Sequence, residues 1–318
     1  MKNLYFILIL ALFGQVSSAN EVNVYTSRHY DSDPGLYQEF TNETGVKVNI
    51  ISGKGSALLE RIKAEGKNSP ADIFFTVDAG NLWKVQKENL LQSITSTKVL
   101  DSVPDNLKGP DNQWTAIAKR ARAIFYNPLM VEETEINNLN YEDLADSKWK
   151  NRIVIRSSNN MYNQSLVASL IANLGETQTE SWVKKLVSNF ARKPQGNDRS
   201  QIMAVANGEA DIAIANSYYI GIMLSGSAGE EQLNAAKKVK MLFPNQDNRG
   251  VHINISGAGI LKYAPNVDNA NLFLEFLLSK KAQKYMVEKS YEYPILKGIL
   301  PSKEIASFGL DFVEDQIS

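Results

Sequence analysis

Residues 21–26 read EVNVYT, apolar and polar positions in near alternation, which is the period of a strand. From Asp33 to Glu43 the spacing changes to that of a helix. Leu36, Tyr37 and Phe40 share one face, and Gly45 stops the run. Val46 to Ile51 returns to strand spacing. Ser56 is placed to cap an amphipathic helix through Ala64, closed by Gly66. Ala71 to Thr76 (ADIFFT) is a strand of the fully buried type, and Asn81 to Glu88 a helix after it. The order is β-α-β-α-β, for which a parallel sheet is the natural architecture.

A second unit of the same kind follows. Trp114 to Tyr126 (WTAIAKRARAIFY) predicts one or two strands that cross over, ended by Asn127-Pro128. Arg152 to Arg156 predicts a strand. Gln164 to Asn173, Thr179 to Phe190 and Ser200 to Ala206 predict helices, and Ala210 to Ala215 (ADIAIA) a strand. The chain then returns through strand-like runs at Val239 to Phe243 and Gly250 to Leu261. Helices are expected at Asp268 to Leu278, with Asp268 as its N-cap, and at Lys281 to Lys289. The fold class is α/β, and two crossings between two units make a hinge.

The N-terminus sets the compartment. Lys2 precedes an apolar run from Leu4 to Phe13, and Ser17 and Ala19 occupy the small-residue positions of a cleavage site. This predicts a secretory signal peptide over residues 1–19, too short to span a bilayer, and a mature chain from Asn20. With the crossings near Ala118 and Phe243, the N-terminal lobe is expected to comprise 20–118 and 246–295. The C-terminal lobe takes 119–245 and 296–318. A net charge of −1 argues against nucleic acid as a partner. The chain has no cysteine. That excludes a disulfide, a lipid-bearing N-terminal cysteine, a thiolate zinc site, an Fe–S cluster and a cysteine nucleophile. A periplasmic monomer is the expectation.

In open parallel sheets, ligands bind beyond the carboxyl ends of strands. Ser27-Arg28-His29-Tyr30 follows the first strand, Ser157 to Tyr162 follows RIVIR, and Asn216-Ser217-Tyr218-Tyr219 follows ADIAIA. Three strand ends therefore deliver four of the thirteen tyrosines and one of the two histidines. A phenol ionises near pH 10 unless a cation displaces its proton. Charge-dense ferric iron prefers such hard oxygen donors, whereas zinc and copper favour cysteine or several histidines. Helix N-termini at Tyr162 and Tyr218 would favour phenolate further. Tyr37, Tyr126 and Tyr141 read as packing residues, and His252, inside a strand-like run, as structural.

The chain resembles the periplasmic ferric-iron-binding proteins of bacterial ABC importers, in the Fbp/Fut branch, over essentially its whole mature length. The resemblance rests on SRHYD at 27–31, GKGSALLERIKAEG at 53–66, SPADIFFTVDAGNLW at 69–83, KRARAIFYNP at 119–128, VANGEADIAIANSYYIG at 205–221 and ISGAGILKYAPN at 255–266. It implies the two-lobed periplasmic-binding-protein fold, type II-like, with two crossover strands as hinge. It also implies iron held by His29, Tyr30, Tyr162, Tyr218 and Tyr219 without an obligatory anion, as in the cyanobacterial and campylobacter-type proteins. The implied cargo is Fe3+, with Fe2+ as a further possibility, and the implied partners are an ABC permease and its ATPase. Fe3+ with four phenolates and a neutral imidazole carries one surplus negative charge, which needs pairing if buried. Arg120 and Arg122 on the crossing segment are the candidates. They share one strand face, so alternation alone does not choose between them. Arg28 and Arg199 are weaker candidates.

Two other readings stay open. Ser157, Ser158 and Arg28 would also suit a binding protein for an oxyanion, a polyamine or a thiamine-like solute. An enzyme is disfavoured. The chain has no G-x-S-x-G elbow, no Walker loop, no G-x-G-x-x-G after a strand and no H-E-x-x-H. Gly53-Lys54-Gly55-Ser56 lacks the phosphate-loop spacing.

Overall fold

The computed structural model describes residues 20–316. The expected signal peptide lies outside the described residues. Among them, no helix is long and apolar enough to cross a membrane.

The first unit is β1 (Glu21–Thr26), α1 (Asp33–Thr44), β2 (Lys47–Ser52), α2 (Gly55–Glu65), β3 (Ile73–Thr76), α3 (Ala79–Lys87), β4 (Leu91–Gln92) and α4 (Thr97–Ser102). The second opens with β5 (Thr115–Tyr126), α5 (Glu133–Ile136), β6 (Ile153–Val154), α6 (Met161–Leu174) and α7 (Glu176–Ser188). It continues through α8 (Asp198–Ala206), β7 (Ile212–Asn216), α9 (Tyr218–Leu224), α10 (Glu230–Ala236) and β8 (Lys240–Leu242). The chain then returns through β9 (Ile253–Leu261), α11 (Val267–Leu277), α12 (Lys280–Lys289), β10 (Tyr293–Pro294) and α13 (Lys303–Ala306).

The strands run in the order β2-β1-β3-β9-β5-β7-β6. β1 pairs in parallel with both β2 and β3, as the β-α-β-α-β reading predicts, and β6 pairs in parallel with β7. β3, β5 and β7 meet their inner neighbours antiparallel. The segment from Trp114 to Tyr126 holds one long strand, β5, which changes partner part-way. Thr115 to Ala121 pair with β9, whereas Arg122 to Tyr126 pair with β7. Arg120 faces Asn254 of β9, and Arg122 faces Asn216 of β7. One strand thus carries the chain from the first unit into the second.

Three local expectations are corrected. Only Ile153 and Val154 of RIVIR pair as strand. The Arg156 carbonyl accepts from Asn163 Nδ2 at 2.8 Å, a side-chain partner that bends the chain towards α6. α2 starts at Gly55 with Lys54 in the N-cap place, so Ser56 lies inside the first turn. α11 is preceded by Asn266 and not by Asp268. The buried Asp72 carboxylate accepts from Asn266 N at 2.7 Å and from its Nδ2 at 3.1 Å, holding the start of the helix earlier.

Candidate metal centre

The four tyrosines are buried and gathered. Tyr30, Tyr162, Tyr218 and Tyr219 are 8%, 4%, 1% and 8% exposed, although they come from three separate strand ends. Ring centroids of Tyr218 and Tyr219 lie 4.0 Å apart, and those of Tyr30 and Tyr218 5.4 Å apart, edge to face. His29 stacks on Tyr30 at 5.3 Å and is itself exposed. Tyr162 joins the group through Arg120, whose guanidinium carbon lies 5.7 Å from the Tyr162 ring centre and 6.0 Å from that of Tyr218.

Each side chain has a local cause for its position. Tyr30 ends the turn after β1, where Asp33 N donates to Tyr30 O at 3.1 Å. Arg28 ties that turn down through Asp33, bonding its two carboxylate oxygens at 2.8 and 2.9 Å. Tyr162 sits in the first turn of α6, where Asn160 Oδ1 accepts from Tyr162 N at 3.0 Å. Tyr218 and Tyr219 open α9 directly after β7. Gly221 lets that short helix approach Tyr291, because a Cβ there would lie 2.5 Å from Tyr291 Cγ.

Burial raises the pKa of all four phenols, so each is neutral in the metal-free protein. For Tyr30 the Glu292 carboxylate adds to burial, while Arg120 and Arg28 pull the other way. Tyr218 is pushed well up by burial and then by Tyr162, Tyr30 and Tyr219. Tyr219 is raised to about 12, by burial and then by Tyr162 and Asp198. The Tyr218 hydroxyl makes no well-formed hydrogen bond among the described residues, although the Tyr162 and Tyr219 hydroxyls are near enough to interact with it. A buried unsatisfied phenol is costly, and a cation among the four oxygens would satisfy it. Partial desolvation between two clefts, then Arg120 and Arg28, lowers the His29 pKa, which leaves a neutral imidazole able to donate a lone pair although the side chain reaches solvent. Among the described residues no cluster of three His, Asp or Glu side chains could hold a metal.

Strand alternation left Arg120 and Arg122 equivalent, and the structure separates them. Both are fully buried. Arg120 Nη1 lies 3.5 Å from Tyr30 Oη and pairs with Glu292 at 3.0 Å. Arg122 instead pairs with Asp198 at 2.6 Å and bonds Asn163 Oδ1 at 2.6 Å and Asn216 Oδ1 at 3.1 Å. Arg120 therefore faces the tyrosines, and Arg122 braces α6, which carries Tyr162, and β7, which leads into Tyr218 and Tyr219. Arg28 proves as close as Arg120, stacked 4.5 Å from the Tyr30 ring centre. Arg199 only lines the cleft. Glu292, Asp198 and Arg156 escaped the sequence reading. Glu292 lies in an unremarkable run, Ser290-Tyr291-Glu292-Tyr293, and nothing in its spacing marks it.

His29 stands between two clefts of about 880 and 900 Å3. Tyr30, Tyr218 and Tyr219 line the first, and Tyr162 with Lys54 and Lys84 the second. Asp78, the N-cap of α3, accepts from Ser165 Oγ of α6 at 2.8 Å, a bond between the two units beside the cluster. Of the residues read as packing, Tyr141 is buried with its hydroxyl donating to the Arg122 carbonyl, and Tyr37 is buried against Asp33. His252 is buried with neither ring nitrogen hydrogen-bonded among the described residues.

Residues 27–284 match the family described as bacterial extracellular solute-binding protein. The iron uptake protein A1 of Synechocystis sp. is 50% identical, over 94% of this chain and 82% of that protein. A solved Trichodesmium protein, IdiA (FutA), in complex with iron and citrate ligands, is 51% identical. It superposes with a TM-score of 0.87 over 93% of this chain and 92% of that one. The ferric binding protein from Campylobacter jejuni is 40% identical, with a TM-score of 0.87 over 93% and 92% of the two chains.

Proposed function

The chain belongs to the family of bacterial extracellular solute-binding proteins, and on that premise we propose that it captures ferric iron through buried phenolate oxygens and delivers it for import. It is a binding protein and not an enzyme. Its relatives are iron-uptake and ferric-iron-binding proteins. Those relatives decide between the two kinds of cargo, in favour of iron over an oxyanion or an organic cation. The fold is that of the two-lobed periplasmic binding proteins.

The observation that carries the ligand assignment is the cluster itself: four phenols from three strand ends are buried together, with the Tyr218 ring against both Tyr30 and Tyr219. Tyr30, Tyr162, Tyr218 and Tyr219 supply the anionic oxygens, and His29 a neutral nitrogen. Hard anionic oxygen selects a small trivalent ion over zinc. Arg120, at 3.5 Å from Tyr30, is the cation that faces the surplus negative charge of the filled site.

The change of partners along β5 at Ala121 and Arg122 supports lobes of 20–118 with 246–295 and of 119–245 with 296–318. His29 and Tyr30 then come from one lobe and the other three ligands from its partner lobe, so iron bridges them and favours closure. Export by the signal peptide at 1–19 and delivery to a permease with its ATPase complete the reading. The test is competition. Apo protein offered ferric iron and zinc as weak chelates should retain stoichiometric iron and little zinc by metal analysis. Equal retention would sink the phenolate assignment.

A further inference from the structure

Behind Tyr30 lies a closed set of buried charges. The Glu292 side chain is fully buried and accepts from Arg28 Nη1 at 3.1 Å, Arg120 Nη1 at 3.0 Å, Ser256 Oγ at 2.5 Å and Ser290 Oγ at 3.0 Å. Ser256 Oγ in turn accepts from both arginines, at 2.6 and 2.8 Å. Arg28 is closed on its other side by Asp33. Two cations and two carboxylates cancel, and Glu292 is the carboxylate that touches both cations. Both guanidiniums also face the tyrosines: Arg28 covers the Tyr30 ring, and Arg120 reaches the Tyr30 hydroxyl. How much positive charge the filled site feels is therefore decided one contact behind it.

We propose that Glu292 sets the oxidation-state preference of the bound iron. The proposal rests on the ferric phenolate reading above. Ferric iron with four phenolates carries one negative charge, and ferrous iron with the same ligands carries two. A cation nearby favours the more negative, reduced complex, and a carboxylate that cancels the cation favours the ferric one. Inside a protein such a charge is screened less than in water. Glu292 thus makes the site a ferric site by muting Arg28 and Arg120, while both remain in place to hold Tyr30. Asp33 has a smaller share, because it contacts Arg28 alone among the two arginines.

The experiment is a potentiometric titration of the ferric band, using full-length mature protein loaded from ferric nitrilotriacetate. Glu292→Gln is isosteric, removes the charge and exchanges one accepting oxygen for an amide NH2. It should raise the ferrous-to-ferric affinity ratio about tenfold or more, about 59 mV for one electron. Glu292→Asp keeps the charge and should stay within about threefold of wild type, which a packing role would not allow. Asp33→Asn, which removes the carboxylate that touches Arg28 alone, should shift the ratio in the same direction by a smaller amount; it replaces the Glu292→Gln variant if that one does not fold. Equal shifts in the Glu292→Asp and Glu292→Gln variants, an unmoved Glu292→Gln variant, or, where that one does not fold, an unmoved Asp33→Asn variant would each overturn the proposal. A wild type that binds no iron, or binds it without a visible band, overturns the ferric phenolate reading itself, which separates the two failures.

Discussion

Ala121 and Ser217 are bound to each other twice: Ser217 N donates to the Ala121 carbonyl at 2.9 Å, and Ala121 N donates to Ser217 Oγ at 3.2 Å. Ser217 immediately precedes the tyrosine pair, and Ala121 sits where β5 changes partner. The pair is thereby fixed to the strand that joins the two units. Tyr30, in contrast, rides on the turn after β1, and Tyr162 is held to β5 only through side chains, its neighbour Asn163 accepting from Arg122.

That difference predicts unequal ligands. Tyr218→Phe and Tyr219→Phe should each remove most of the visible ferric band and most iron retention against a competing chelator. Tyr30→Phe and Tyr162→Phe should leave a weakened, shifted band. A colourless Tyr30→Phe beside a nearly normal Tyr219→Phe would reverse the assignment of the anchor.

The raised phenol pKa values make iron binding a proton exchange. Each phenol that ligates must lose a proton it holds at neutral pH, so loading should release protons and acid should drive iron off. For the metal-free fold the sign follows from the shift. Tyr219, raised to about 12 from an unfolded value near 10, adds stability that is complete below about pH 10 and is lost as pH rises through about 12. Alkaline melting curves should therefore show apo protein weakening above about pH 10, with the iron-loaded form resisting because its phenols are already ionised. Coincident curves would contradict this.

His252 works in the opposite direction. Burial, with Arg122 and Arg249 nearby, lowers its pKa to about 3. Its contribution is present above its unfolded pKa and is lost as pH falls from about 6.5 towards 3, at up to about 1.4 kcal/mol per pH unit. His252→Gln should flatten the acid limb of the stability curve over that window, read by denaturant titration at pH 7, 5 and 4. An unchanged limb would mean that another group governs acid unfolding.

The two arginines of β5 should fail in different ways. Losing Arg122 leaves the fully buried Asp198 with Arg156, at 3.4 Å, as its remaining cation, so Arg122→Met should destabilise the fold by up to roughly 3–5 kcal/mol. Arg120→Lys keeps a cation near Glu292 but loses the planar fork that also bonds the Ile255 carbonyl at 3.0 Å. It should alter the ferric band more than Arg122→Lys does. Denaturation and absorption measured on the same samples separate the two outcomes.

How far these features could be read from the chain follows from their range. β1, β2 and β3 announce themselves because alternation and helical spacing are local, and Gly45 ends α1 in the left-handed conformation that glycine tolerates. The three tyrosine-bearing ends were legible because parallel strands direct ligands to their carboxyl ends. The start of α11 was not, since it depends on Asp72, far away in sequence. Nor was the choice of Arg120 over Arg122, which turns on the exchange of β9 for β7 as partner of β5. Glu292 is placed by two arginines, one from the first turn and one from the crossing strand. No local pattern encodes such a meeting.

The most direct test of phenolate capture is the visible spectrum of apo protein titrated with ferric nitrilotriacetate, with bound iron counted on the same samples. The account predicts a phenolate-to-iron band that grows in proportion to iron, saturates at one ion per chain, and disappears in the Tyr218→Phe/Tyr219→Phe variant while the far-UV spectrum stays folded. Stoichiometric iron without a visible band, or a folded double variant that takes up iron and colours like wild type, would contradict it.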